Sequence, residues 1–232
     1  MRVLALDTST QVGTVSILDQ DALIAEYTLN LRSTHSERLM PMIDRLLVDT
    51  GFALAGLDGL AVAVGPGSFT GLRIGISTAK GLALAADLPI APIPTLDALA
   101  STLPLAAFPV CPILDAKKGE VYTSLYERRG DELERCWEYL AISFEELVDR
   151  VRTDVIFVGD AVQPFRHLLS ERLGEQAHFA PLARQLPTAA AVAELGMKLL
   201  AAGNGVAPDG VVPLYIRSSE AELRRRRASV PH

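Results

Sequence analysis

The first thirty positions alternate or run apolar in three short stretches, 2–6, 12–18 and 23–29, separated by Asp7-Thr8-Ser9-Thr10 and by Asp19-Gln20-Asp21. That pattern predicts an antiparallel meander with an acid at the end of its first strand. At 34–51 the period changes. Thr34 and Glu37 fit a capping box, Gly51 fits the stop, and Pro41 is expected to kink the helix or delay its regular start. Leu39, Met40, Met42, Ile43, Leu46 and Leu47 spread over roughly 160° of this helix, wider than one sheet requires. An apolar run at 60–64 reads as a buried strand, Gly65-Pro66-Gly67-Ser68 breaks it, and Thr70 is a candidate cap for a helix to about Ala86. Positions 89–94 follow as a proline-containing strand, 95–102 as a brief helix, and 103–109 as the boundary between two lobes.

The second half begins by echoing the first. Positions 110–114 are apolar and end in Asp115, Lys117-Lys118-Gly119 turns, and strands are expected at 121–126 and near 133–140. Strand, acid, polar turn, strand, turn, strand thus occurs twice, as a duplication of pattern rather than of identity. Helices are expected at 143–151, 161–173 and 188–202, a strand at 155–158 and an extended segment at 211–216. The expected fold is α/β and two-lobed, similar to actin, sugar kinases and Hsp70 (the ASKHA fold), with a mixed sheet flanked by helices in each lobe and the second lobe reduced. The lobes are assigned to 1–103 and 104–216, with a charged tail at 217–232.

The helix after the glycine turn carries the most ambiguous signal. Gly71, Gly75, Ala79 and Ala83 recur every four residues and form one stripe, with Arg73, Ser77 and Lys80 on the polar side. Gly75 and Gly81 inside a helix cost about 1 kcal/mol each relative to alanine. Close approach by another chain and burial within the chain's own lobe both account for that cost. Strand, glycine turn and helix also form the geometry that binds anions, but Leu72-Arg73 stands where a nucleotide hydrolase loop needs Lys-Ser/Thr, and Thr70 where a dinucleotide loop needs glycine.

Composition narrows the function classes. A net charge of −6 argues against nucleic acid binding over the whole surface, with one local exception, the four arginines at 224–227, which are either a solvated tail or a contact for RNA phosphates. Cys111 and Cys136 form neither a CxxC nor a disulfide framework. Positions 2–6 read as a strand rather than a secretory leader and no apolar run is long enough to span a bilayer, so a cytoplasmic location is expected. His35, His167, His178 and His232 form no HxxxH or HExxH, and no serine lies in GxSxG. Asp7 and Asp115 are left as either the two cleft acids of a kinase or polar strand ends.

LALDTST at Leu4, THSERLMPMIDRLL at Thr34, VGPGSFTGLRIGISTAKGLALA at Val64, LDAKKGEVY at Leu114, FVGDA at Phe157 and PLYIR at Pro213 resemble the bacterial TsaB (YeaZ) family, over essentially the whole chain. The resemblance implies a non-catalytic subunit of the machinery that makes N6-threonylcarbamoyladenosine beside the anticodon of tRNAs reading ANN codons. It implies the catalytic paralogue TsaD and the ATPase TsaE as partners, self-association as a homodimer, tRNA met mainly through the complex, no membrane, and a donor made separately by TsaC. No metal or other cofactor is implied: Thr95 and Leu99 stand at the positions of the HxxxH ligands of TsaD, and neither side chain replaces imidazole. The family's dimer face maps onto His35, Leu39, Met40, Ile43, Gly71, Gly75 and Ala79, and Asp7, Asp115 and Gly119 mark vestigial nucleotide loops. The alternative is a small-molecule kinase of the same fold, with Asp7 as base or metal anchor.

Overall fold

A computed structural model describes residues 1–20, 22–130 and 132–216, with Glu132 described by its backbone only. The arginines at 224–227 therefore lie outside the described residues. The meander is present as β1 (Arg2–Asp7), β2 (Val12–Asp19) and β3 (Ala22–Asn30). Helix α1 (His35–Thr50) follows, then β4 (Gly59–Gly65), α2 (Phe69–Ala86) and β5 (Ile90–Pro94). The five strands form one sheet in the order β3-β2-β1-β4-β5. β1 pairs antiparallel with β2 and parallel with β4, and β4 pairs parallel with β5.

Local chemistry sets the helix ends. The Thr34 N–H donates to the Glu37 carboxylate at 3.3 Å and Gly51 ends α1 in the left-handed region, as the capping pattern predicts. Helix α1 begins at His35, so Pro41 does not delay its start. The cap of α2 is Ser68, not Thr70: its hydroxyl accepts the Gly71 N–H at 3.3 Å, and Thr70 lies inside the first turn.

The second half of the chain contains α3 (Thr95–Ser101), β6 (Val110–Lys117), β7 (Glu120–Thr123), β8 (Tyr126–Arg129), β9 (Glu132–Arg135) and β10 (Leu140–Ser143). It continues through α4 (Phe144–Arg150), β11 (Val155–Val158), α5 (Val162–Leu173), β12 (Ala177–Phe179) and α6 (Ala189–Ala201). The second sheet runs β10-β7-β6-β11-β12, with pairings of the same sense as the first: antiparallel, antiparallel, parallel, parallel. The echo in the sequence is thus a repeat of topology. The strand expected over 121–126 is broken at Ser124 and Leu125. There the Ser124 hydroxyl donates to the Trp137 carbonyl at 2.7 Å and the Leu125 carbonyl accepts the Cys136 N–H at 2.7 Å. The β8–β9 hairpin is inserted at that break, and β10 takes the third-strand place.

Alternation along the strands divides the cores. Leu4, Leu6, Val15 and Ile17 face α1 and α2, where Leu39, Ile43, Leu46, Leu72 and Ile76 meet them. Val3, Ala5, Ala61, Ala63 and Ala91 face the other way and are covered by Ala189, Val192 and Ala193 of α6. Residues 104–216 are therefore not a unit in space, because their last long helix returns to the first sheet. The small side chains let α6 lie close: a Cβ at Gly196 would overlap the Cβ of Ala61. Its first turn is tied down by the Glu26 carboxylate, which accepts the Ala190 N–H at 2.8 Å, and by the Thr188 hydroxyl, which accepts the Ala191 N–H at 3.3 Å. Among the described residues no helix is long and apolar enough to cross a membrane.

Candidate partner-binding face

The turn between β1 and β2 is enclosed on two sides. From α2, the Gly71 carbonyl accepts the Thr8 hydroxyl at 2.7 Å. A Cβ at Gly71 would overlap the Thr8 carbonyl, and one at Gly75 the Thr8 hydroxyl. From the β4–α2 turn, the Ser68 N–H donates to the Ser9 carbonyl at 2.6 Å, and a Cβ at Gly67 would overlap that carbonyl. From α1, His35 Nε2 meets the Thr10 carbonyl at 2.7 Å. Arg38 donates to the carbonyls of Leu31 and Gln11 and lies 3.1 Å from His35 Nδ1. These contacts fix the neutral tautomer with its proton on Nε2, and burial together with the Arg38 charge holds His35 below its usual range.

The small-residue stripe thus faces inward. Gly71, Gly75 and Ala79 are buried against the chain's own first lobe, as are Leu39 and Ile43. None of these five is available to a partner in this structure, and His35 is half-buried holding the turn. Of the residues expected at the interface, Met40 alone is exposed, at 48%. The spacing establishes that the small residues share a side of α2; which side depends on Thr8, some sixty positions earlier.

The outer side of the same helices is a different surface. Val48 on α1 is 66% exposed and Leu84 on α2 is 72% exposed. Ser77 and Gly81 on α2 are also exposed, and a Cβ at Gly81 would meet nothing within 4 Å among the described residues beyond its own helix. A groove of about 370 Å3 between α1 and α2 is lined by Met40, Arg73, Ile74 and Ser77 among others. Arg73 also joins this face to the end of the described chain. Its guanidinium lies 3.9 Å from the Phe69 ring centroid and donates to the Tyr215 hydroxyl at 3.2 Å, and the Phe69 and Tyr215 rings stack at 5.2 Å. The Leu214 N–H donates to the Val64 carbonyl at 2.7 Å. Sequence reasoning placed Arg73 and Ser77 on the polar side of the helix; the pairing of Arg73 with Tyr215 left no local signal.

The two acids occupy unlike settings. Asp7 is fully buried: Oδ1 accepts the Ser9 N–H at 2.7 Å, while Oδ2 and the Ser9 hydroxyl have no hydrogen-bond partner among the described residues. Burial pushes the Asp7 carboxyl up from its ordinary value, hydrogen bonding from Ser9 opposes the shift, and the charge of Asp160 adds to it. A carboxylate enclosed this way does not reach a substrate in this conformation. Asp115 is exposed, with Oδ1 accepting the Lys117 N–H at 2.7 Å and Lys117 Nζ 2.6 Å from Oδ2. The Asp115 N–H donates to Asp160 at 3.0 Å, and burial raises Asp160 too. Thr95 and Leu99 are both buried. Among the described residues no three His, Cys, Asp or Glu side chains cluster as metal ligands would.

Comparison with known proteins places the chain. The family model of TsaD, described as tRNA N6-adenosine threonylcarbamoyltransferase, matches residues 23–225. A Bacillus subtilis protein described as "tRNA threonylcarbamoyladenosine biosynthesis protein TsaB" is 34% identical over 227 residues, 97% of each chain. Its Escherichia coli counterpart of the same description is 32% identical over 232 residues, 95% of this chain and 96% of that one. The solved structure of YeaZ from Pseudomonas aeruginosa superposes with a TM-score of 0.77 at 29% identity, covering 93% of this chain and 99% of that one. Component A of the (R)-2-hydroxyglutaryl-CoA dehydratase of Acidaminococcus fermentans superposes at 0.52 and 11% identity, over 87% and 99% of the two chains, which speaks for the fold alone: the two-lobed architecture of actin, sugar kinases and Hsp70. The chain belongs to the TsaB (YeaZ) family.

Proposed function

We propose that this chain is a non-catalytic subunit of the tRNA N6-threonylcarbamoyladenosine machinery, binding TsaD through the outer side of α1 and α2 and holding it in its active form. Its relatives are named for that biosynthesis. The observation that carries the reading is the two-sidedness of the helix pair. The inner side serves the chain's own core, yet Met40 and Val48 of α1 and Leu84 and Gly81 of α2 are left exposed. Gly81 costs about 1 kcal/mol in a helix and, among the described residues beyond its own helix, nothing lies within 4 Å of where its Cβ would be, so close contact with another chain is what it suits. The buried threonine and leucine at 95 and 99, and the enclosed Asp7, offer no catalytic group of their own. TsaE joins at the boundary so formed, and without TsaD the same face pairs with a second copy.

Light scattering on the chain mixed with TsaD from the same source tests this. The expected species contains one of each chain at micromolar concentration. Met40→Glu with Leu84→Glu is expected to weaken it at least tenfold while leaving the melting temperature of the isolated chain within about 2 °C, because both side chains are exposed. An undiminished complex in that variant refutes the face.

A further inference from the structure

One charge on the outer side of the helices is held in place without being neutralised. Arg73 is exposed near the start of α2, and its guanidinium is fixed from two directions. It lies 3.9 Å from the Phe69 ring centroid, and its Nε donates to the Tyr215 hydroxyl at 3.2 Å. Tyr215 is held in turn by stacking on Phe69 at 5.2 Å and by the neighbouring Leu214 N–H, which donates to the Val64 carbonyl at 2.7 Å. Both groups that grip the guanidinium are neutral. Arg2, Arg45, Arg129 and Arg150 each pair with an acid at 2.7 to 3.0 Å, whereas Arg73 makes no ion pair among the described residues. An arginine already ordered in this way loses less rotamer freedom when it meets a ligand.

Arg73 also lines the groove of about 370 Å3 between α1 and α2. Around it the wall is apolar or uncharged: Leu39, Met40, Ile74, Ser77 and His35, which its own contacts hold neutral. The exposed acids of α1, Glu37 and Asp44, do not line the groove, and neither does Lys80 of α2. The groove therefore carries one positive charge and no negative one. Arg73, Ser77, Gly81 and Leu84 are all exposed and follow one another along a single line of α2. A partner element that approaches at Gly81 meets Arg73 about 12 Å further along that line, at 1.5 Å per residue.

We propose that Arg73 anchors a carboxylate of TsaD, an Asp or Glu side chain on the element seated over α1 and α2, with a neighbouring aliphatic side chain of that element in the groove. This rests on the reading that TsaD binds the outer side of these helices. With Nε given to Tyr215, the two Nη groups remain for a two-bond fork onto the carboxylate oxygens. Tyr215 is then a positioning residue: it sets the direction of the fork and does not touch the partner's acid. A phosphate is the less suited anion, because phosphate sites gather several cations or N–H donors and Arg73 is the one charged side chain of the groove wall.

The test is calorimetric titration of TsaD into the full chain at low and high salt, with Arg73→Gln, Arg73→Lys and Tyr215→Phe beside the wild type. At low salt Arg73→Gln is expected to bind TsaD at least about tenfold more weakly. Arg73→Lys keeps the charge and loses the fork, and is expected to bind at least about fivefold more weakly. Tyr215→Phe only frees the guanidinium and is expected to cost about two- to threefold. The gap between wild type and Arg73→Gln is expected to narrow at high salt, where the ion pair is screened. Arg73 is exposed, so the melting temperature of the isolated variants is expected within about 2 °C of wild type; if Arg73→Gln melts lower, Arg73→Met, which keeps the packing on Phe69, takes its place. Undiminished affinity in Arg73→Gln overturns the proposal, as does wild-type affinity in Arg73→Lys. Arg73-dependent binding of inorganic phosphate to the isolated chain, with affinity for TsaD unchanged, overturns it in favour of a phosphate site. Met40→Glu with Leu84→Glu separates the two readings: a complex lost there but intact in Arg73→Gln keeps the face and removes this anchor, and a complex intact in both removes the face as well.

Discussion

The two sheets share strand order and pairing, yet their first turns differ in nearly every physical respect. The turn after β1 is buried and held by backbone contacts from Gly67, Gly71 and Gly75 on one side and by His35 and Arg38 on the other. The corresponding turn after β6 is open. Asp115, Lys117, Lys118 and Gly119 are exposed, and the last three all have positive φ. The difference lies in the covering helices. In the first lobe a 16-residue and an 18-residue helix pack side by side over the sheet, whereas the counterpart of the first, α4, has seven residues. Repeated topology therefore fixes which strands are neighbours and leaves the fate of a turn to what lies over it. A pair of acids at matching strand ends does not by itself make a two-acid site.

Five substitutions, alone or combined, break or sharpen that contrast. The largest effect is expected for Gly75→Leu, where the new side chain collides with Thr8; a loss of about 3 kcal/mol or more in urea denaturation follows from overpacking a site that cannot relax. Gly81→Leu on the opposite side of α2 is expected to fold normally, and equal destabilisation by the two would contradict the inward stripe. Next comes pH. The native pKa of Asp7 is raised, so the stability contributed by its proton is full below its unfolded value of about 3.9 and is lost as pH rises through the native one. Asp7→Asn is expected to remove that decline and to be more stable than wild type at neutral pH, as read by melting temperature across pH 4 to 8. Since Asp160 contributes to the shift of Asp7, combining it with Asp160→Asn is expected to be less than additive. The smallest effect belongs to the open turn: Lys118→Gly relieves a left-handed residue at φ 58° and is expected to raise stability by up to about 1 kcal/mol, measured the same way.

Local rules carried the sequence reading a long way. The meander, the capping box at Thr34, the Gly51 stop and the repeated strand pattern were all legible, because each is decided within a few residues. The two helices proposed as the partner face were legible as elements, but not which of their sides faces outward. A period of four places Gly71, Gly75 and Ala79 together but carries no information on direction, and the side was settled by Thr8, far away in sequence. Ser124 and Leu125 read as strand because their side chains suit one; the hydrogen bonds to Trp137 and Cys136 that break it are tertiary. The return of α6 to the first sheet had no local signal either, since an alanine-rich helix fits any close-packed surface.

That return orders the events of synthesis. One face of the first sheet, with Val3, Ala5, Ala61, Ala63 and Ala91, has only Ala98 of α3 beside it until Ala189, Val192 and Ala193 have been made. At about 5–20 residues per second, the roughly hundred residues between β5 and α6 leave that face open for roughly 5–20 s after its last strand is complete. The nascent chain passes through that interval with a formed hairpin, a wet alanine surface and an unfinished lobe, which is when a chaperone has something to hold.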